Sequence, residues 1–216
     1  MPAHLDSIDK IVSSYFSLIT LVPYTYKGRV TTPRALQASP LLFRNLVCPA
    51  HCGACCPRFS LDYLPNETRP EFLTPRLIAF DDREIVVMSD RQLDRAGEYF
   101  CRHLIRETAR CAIHDHNPFS CDFEIIRALT FDDASHPHRL STQAFGRAWN
   151  MKRIDEQRGA MCGIEEGFER ARGEVVRKLS RLADWADHFG IRHRARDVVA
   201  WAQSLDAPPA AAKLFE

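Results

Sequence analysis

Four cysteines fall within nine residues in the stretch from Cys48 to Cys56, the most strongly biased part of the chain. Pro49 and Pro57 stiffen its two ends, and Gly53 allows the unusual backbone angles of a tight loop. A polar, proline-rich loop is a poor place to bury thiols as small hydrophobic groups. The pattern therefore favours metal binding, and soft thiolates select zinc, iron or an iron–sulfur cluster over magnesium or calcium.

Three more cysteines follow the first stretch at near-regular intervals. Zinc in a structural site takes four ligands, and so does a four-iron cluster, so this larger set predicts a multinuclear site or a mixture of ligands and redox thiols. Cys55 and Cys56 are adjacent, and neighbouring side chains tend to point apart, so a single ion is not expected to bind both. The predicted metal ligands are Cys48, Cys52, Cys55, Cys56, Cys101, Cys111 and Cys121.

Other roles remain open for some of these side chains. The cysteines could form redox disulfides or pack as small hydrophobic groups, and packing is the preferred interpretation for Cys162. Nearby histidines are secondary ligand candidates because imidazole binds zinc and iron, although each is more simply a solvated side chain or a hydrogen-bond partner. These histidines are His51, His103, His114 and His116. No catalytic residue is predicted.

The motifs around the cysteines resemble a known family. Cys48-x3-Cys52-Gly-Ala-Cys55-Cys56 is followed by Cys101-Arg-His-Leu and by Cys111-Ala-Ile-His-Asp-His-Asn-Pro-Phe-Ser-Cys121. Over residues 45–125 this order resembles the CxxCxxCC, or YkgJ-like, cysteine-cluster family of zinc- or iron-chelating domains. Two positions differ from the family pattern: three residues follow Cys48 instead of two, and Asn117 replaces an Arg. The resemblance implies a zinc or iron centre held by these cysteines.

The first cysteine spacing also matches a second motif. Cys48-x3-Cys52-x2-Cys55 is the triad that holds the four-iron cluster of radical S-adenosylmethionine enzymes. Those enzymes place the triad after the first strand of a parallel βα barrel, usually with an aromatic residue where Ala54 stands here. No run of alternating strand and helix patterns follows the motif, so this interpretation is the weaker one.

Length and charge narrow the class of protein. The 216 residues are 45% hydrophobic and carry a formal net charge of +1, which does not attract nucleic acid or a membrane surface. The first ten residues lack the apolar region of a secretory signal. The apolar stretch over residues 11–22 has only about half the length that a membrane-spanning helix needs. We expect a cytoplasmic protein, because cysteines stay reduced in that compartment. We expect no nucleic-acid or membrane partner. No feature of the sequence indicates the oligomeric state.

The predicted fold is α+β and mainly helical. An irregular cysteine-rich metal-binding centre with a small β-hairpin packs against N- and C-terminal helices. Apolar residues recur at helical spacing over residues 5–21, and residues 23–47 resemble a loop because prolines and Gly28 interrupt them. Residues 76–80 and 83–88 flank Asp81 and Asp82 as a hairpin.

The last third of the chain has a helical pattern. From Gly163 an apolar stripe runs to Phe189, and Gly190 is expected to cap the helix. Residues 197–205 predict a shorter amphipathic helix. We divide the chain into a cysteine-cluster metal-binding domain, residues 1–135, and a helical extension packed on it, residues 136–216.

Three functions fit these features. The first is a metal-binding protein that holds an iron–sulfur cluster, with 4Fe–4S favoured, or zinc or iron ions, in a redox or structural role. The second is an iron-dependent or iron–sulfur modifying enzyme, by analogy with flagellin lysine-methylating proteins that carry a similar cysteine cluster. The third is a metal-stabilised interaction module that docks a protein partner through the C-terminal helices, with an exposed patch around Trp201.

Overall fold

A computed structural model describes most of the chain outside the first cysteine stretch. The described residues are 7–33, 36–38, 61–64, 66–67, 73–90, 101–105, 107–108, 110–121, 129–131, 168–207 and 212–215. Cys48, Cys52, Cys55, Cys56 and Cys162 lie outside these residues.

The strands form three antiparallel sheets. The described strands are β1 (Tyr24–Tyr26), β2 (Arg29–Thr31), β3 (Leu36–Ala38), β4 (Asp62–Tyr63), β5 (Thr74–Phe80), β6 (Arg83–Ser89), β7 (Leu104–Ile105), β8 (Arg110–Cys111), β9 (Leu129–Phe131) and β10 (Ala212–Phe215). The largest sheet has five strands in the order β2-β1-β5-β6-β4, the second has the order β10-β3-β9, and β7 pairs with β8. The C-terminal strand β10 therefore joins a sheet built from earlier parts of the chain.

The helices lie at both ends of the described chain. They are α1 (Ser7–Lys10), a π-helical segment (Ile11–Phe16), α2 (Ser17–Ile19), α3 (Phe168–His188) and α4 (Ala195–Gln203), with short 3-10 turns at His114–His116 and Phe119–Cys121. The first three follow one another without a break and are called the N-terminal helical segment below. No helix in the described ranges is long and apolar enough to cross a membrane.

The mainly helical fold class is wrong, because a five-stranded antiparallel sheet forms the centre of the structure. Part of the error lies in residues 23–47, which the sequence predicts to be a loop because prolines and Gly28 interrupt them. Lys27 and Gly28 instead have φ angles of 50° and 71°, and these left-handed residues form the two-residue turn between β1 and β2. The three-residue strands are too short to show an alternating pattern.

The hairpin predicted around Asp81 and Asp82 is confirmed by β5 and β6, which pair from Thr74 with Ser89 to Phe80 with Arg83. Asp81 adopts φ 52°, a conformation that aspartate tolerates better than most residues. Its backbone N–H donates to the Thr25 carbonyl at 2.8 Å, which ties the turn to β1. Alternate side chains face the core, as the burial along both strands shows.

The predicted helices at both ends are also confirmed. Ile8, Ile11, Val12, Tyr15 and Phe16 are all buried, as the three- and four-residue spacing requires. The caps of this segment come from distant residues. Asp62 Oδ2 accepts a hydrogen bond from the Ile8 N–H at 2.9 Å near the start, and the Arg194 N–H donates to the Ile19 carbonyl at 2.8 Å at the end.

Gly190 ends α3 as predicted, with φ 68°. The Ile191 N–H donates to the Ala186 carbonyl and the Gly190 N–H to the Asp187 carbonyl, both at 2.9 Å. This pair of backbone hydrogen bonds forms a Schellman motif, which turns the chain back toward the core.

Aromatic rings join the helices to the inner face of the large sheet. Phe80 of β5 lies 5.3 Å from Phe189 and 5.3 Å from Tyr24, between ring centroids. Phe189 also contacts Phe16 at 5.5 Å and Trp185 at 6.0 Å. Contacts of this kind add to the burial of apolar area and hold the N-terminal helical segment, α3 and the sheet together.

Candidate metal centre

Three of the seven predicted ligands lie in described parts of the chain. Cys101 and Cys111 are buried, at 2% and 8% exposure, and Cys121 is half-buried. None of the three forms a disulfide with another described residue. Thiolate sulfur is a ligand type that zinc and iron prefer.

Cys101 and Cys111 lie on the two arms of a small hairpin. The Leu104 N–H donates to the Cys101 carbonyl at 3.2 Å, and Leu104 in β7 pairs directly with Cys111 in β8. The Ala112 N–H donates to the His103 carbonyl at 2.9 Å, which closes the hairpin. Leu104 is therefore bonded to the Cys101 carbonyl and lies opposite Cys111 in the hairpin.

Cys121 ends the 3-10 turn that follows, and its N–H donates to the Pro118 carbonyl at 2.9 Å. Glu67 anchors this turn. One carboxylate oxygen of Glu67, Oε1, accepts from the Phe119 N–H at 2.7 Å and from Arg181 Nη2 at 3.0 Å. The other accepts from the Leu64 N–H at 2.9 Å. Glu67 thus joins the Cys121 turn to α3 and to the chain just after β4.

Arg181 strengthens the same junction. Its guanidinium also donates to the Asn117 carbonyl at 3.0 Å and lies 5.7 Å from the centre of the Phe119 ring. The Phe119 ring in turn packs on Trp185, one turn further along α3, at 5.9 Å. The segment that carries Cys121 is therefore fixed to the C-terminal helix by charge and by aromatic packing.

Tyr63 in β4 links the first half of the chain to the cysteine hairpin. Its hydroxyl lies 3.1 Å from Nε2 of His103, two residues after Cys101. Burial raises the pKa of Tyr63 far above its ordinary value, and electrostatic repulsion from Asp90 raises it further. The phenol therefore stays protonated and lies within electrostatic reach of two predicted ligands.

Asp90, at the end of β6, is buried beside the same segments. Its Oδ1 accepts a hydrogen bond from the Leu61 N–H at 2.6 Å, and its own N–H donates to the Leu61 carbonyl at 3.1 Å. Burial raises the pKa of Asp90 to about 6, against the lowering effect of the Leu61 N–H and of nearby Arg102. Asp90 therefore fixes the residue that precedes β4.

The histidines near these cysteines differ in exposure. Burial and the charge of Arg102 lower the pKa of His103, so its imidazole is neutral near pH 7. His114 is half-buried in a 3-10 turn, and His116 is exposed. His51 lies outside the described residues.

The described side chains fit only part of a metal site. Thiols and imidazoles are the donor types that zinc and iron prefer, but the described ranges contain no group of three His, Cys, Asp or Glu placed to hold one ion. The other predicted donors, Cys48, Cys52, Cys55 and Cys56, fall in the stretch that the structure does not describe. A complete site therefore requires this stretch.

Asp90, Tyr63 and Glu67 were not predicted as site residues. A single carboxylate or phenol carries no spacing pattern, and the contacts of Tyr63 with His103, Asp90 with Leu61 and Glu67 with Arg181 span 40, 29 and 114 positions of the sequence. The proximity of these three residues to the cysteine segments appears only in the folded chain. One signal was present, since Tyr63 follows Cys56 by seven residues in a region otherwise interrupted by prolines.

Comparison of the chain with protein-family models, with curated proteins and with solved structures gives no match. Function is therefore inferred from the cysteines themselves and from the contacts that bring their segments together.

Proposed function

We propose that the chain binds an iron–sulfur cluster, or a zinc or iron centre, in a redox or structural role. The ligands in this proposal are the seven cysteines Cys48, Cys52, Cys55, Cys56, Cys101, Cys111 and Cys121. A thiolate-rich centre of this kind stabilises the fold that assembles it, and an iron–sulfur cluster can also carry an electron. The resemblance to the cysteine-cluster family supports the same assignment.

The observation that carries the proposal is a contact beside β4. The chain that follows the first cysteine stretch runs through Leu61 and Tyr63. The Tyr63 hydroxyl lies 3.1 Å from Nε2 of His103, two residues after Cys101. The segment that follows the first cysteine stretch in the sequence therefore meets the turn that carries Cys101.

The cytoplasm is the compartment that suits this centre. Its reducing conditions keep cysteines as thiols, the state in which they can bind a metal. Cys101, Cys111 and Cys121 form no disulfide with a described residue, which agrees with this compartment.

Metal and sulfide analysis of anaerobically purified protein, with an absorption spectrum, tests the proposal. We expect at least about one zinc or iron atom per chain, because four thiolates complete one site. Iron with equimolar sulfide and a brown colour indicates a cluster, while a colourless protein with zinc indicates a zinc centre. A protein that retains no stoichiometric metal under anaerobic conditions contradicts the proposal.

Cysteine variants show whether the metal is bound by the predicted ligands. Cys101→Ser and Cys121→Ser are expected to lose most of the metal, since serine is a poor ligand for zinc and iron. Cys162→Ser is the matched control, because Cys162 is predicted to be a packing residue. Equal metal content in Cys101→Ser and Cys162→Ser excludes Cys101 as a ligand.

A further inference from the structure

We draw no further inference here: the strongest candidate, the outward face of the large sheet where the exposed side chains of Leu77 and Val86 pair across β5 and β6, carries none because nothing in the described part of the chain shows what covers it.

Discussion

Two regions of the molecule are held together in different ways. The inner face of the large sheet joins the N-terminal helical segment and α3 through buried aromatic rings, such as Phe80 against Phe189 at 5.3 Å. The segments that carry Cys101 and Cys121 are also fastened by polar contacts, such as those of Tyr63 with His103 and of Glu67 with the Phe119 N–H. The first region depends on buried apolar area, whereas the second combines individual hydrogen bonds with the packing of Phe119 on Trp185.

This difference has a consequence for function. Apolar packing is not directional, so it gives stability without fixing the position of a single atom closely. Hydrogen bonds to backbone N–H groups fix both distance and direction, which a site built from several segments needs. We expect substitutions in the first region to lower stability and substitutions in the second to change the cysteine site as well.

The largest effect should come from Phe80→Ala. Phe80 is 1% exposed and contacts Tyr24 and Phe189, so its truncation leaves a cavity that neighbouring rings cannot fill. The free energy of unfolding, measured with urea in metal-free protein, should fall by about 3–5 kcal/mol. The metal content of the remaining folded protein should be unchanged.

Leu77→Ala is the control on the same strand. Leu77 faces solvent at 62% exposure, and its truncation should change the free energy of unfolding by less than about 0.5 kcal/mol. A loss of metal in folded Phe80→Ala would show that the two regions are not separable in this way.

The next effect is a dependence of stability on pH that originates at Asp90. Burial raises the pKa of Asp90 to about 6 in the folded state, compared with 3.8 for the free side chain, although the Leu61 N–H and Arg102 lower it. The folded state then binds the Asp90 proton more tightly than the unfolded state. This contribution is fully present below the unfolded pKa and is lost as the pH rises through about 6.

The size of this effect follows from the shift. The difference of 6 − 3.8, about 2 pKa units, corresponds to about 3 kcal/mol in the free energy of unfolding between a pH well below 3.8 and a pH well above 6. Urea unfolding of metal-free protein from about pH 7 to about pH 4 should show Asp90→Asn losing stability relative to the unsubstituted protein as the pH falls. Parallel curves for the two proteins over this range would contradict the raised pKa.

The same contrast between the two regions explains which features could be predicted from the sequence and which could not. Patterns that repeat along the chain were sufficient for the N-terminal helical segment, the β5–β6 hairpin and α3 with its cap at Gly190, because each depends on neighbouring residues. The sequence does not predict the β1–β2 hairpin, because its strands are three residues long and the glycine of its turn is equally typical of a loop.

The candidate site divides in a similar way. The cysteines stand out by number and spacing, whereas Asp90 and Glu67 acquire their roles from partners brought close only by the fold. Glu67, for example, reaches Arg181 across 114 positions of the sequence. No local pattern marks such a residue, so carboxylates with partners of this kind must be found in the structure.

The smallest of these effects concerns Glu67 itself. Glu67→Gln keeps the shape of the side chain and one acceptor oxygen but removes the charge that Arg181 contacts at 3.0 Å. Both side chains are largely buried, at 12% and 25% exposure, so the charged hydrogen bond is only partly screened by water. The free energy of unfolding should fall by about 1–2 kcal/mol in urea unfolding at neutral pH.

Glu174→Gln is the matched control, because Glu174 pairs with Arg177 at 2.8 Å on the same helix as Arg181 but at a more exposed position. That substitution should cost less than about 0.5 kcal/mol. Since Glu67 also holds the Phe119 N–H, we expect Cys121 to be alkylated faster in folded Glu67→Gln and at the original rate in Glu174→Gln. If both substitutions have equal effects on stability and leave Cys121 unchanged, the Glu67 contact is an ordinary surface ion pair and has no part in positioning the cysteine segment.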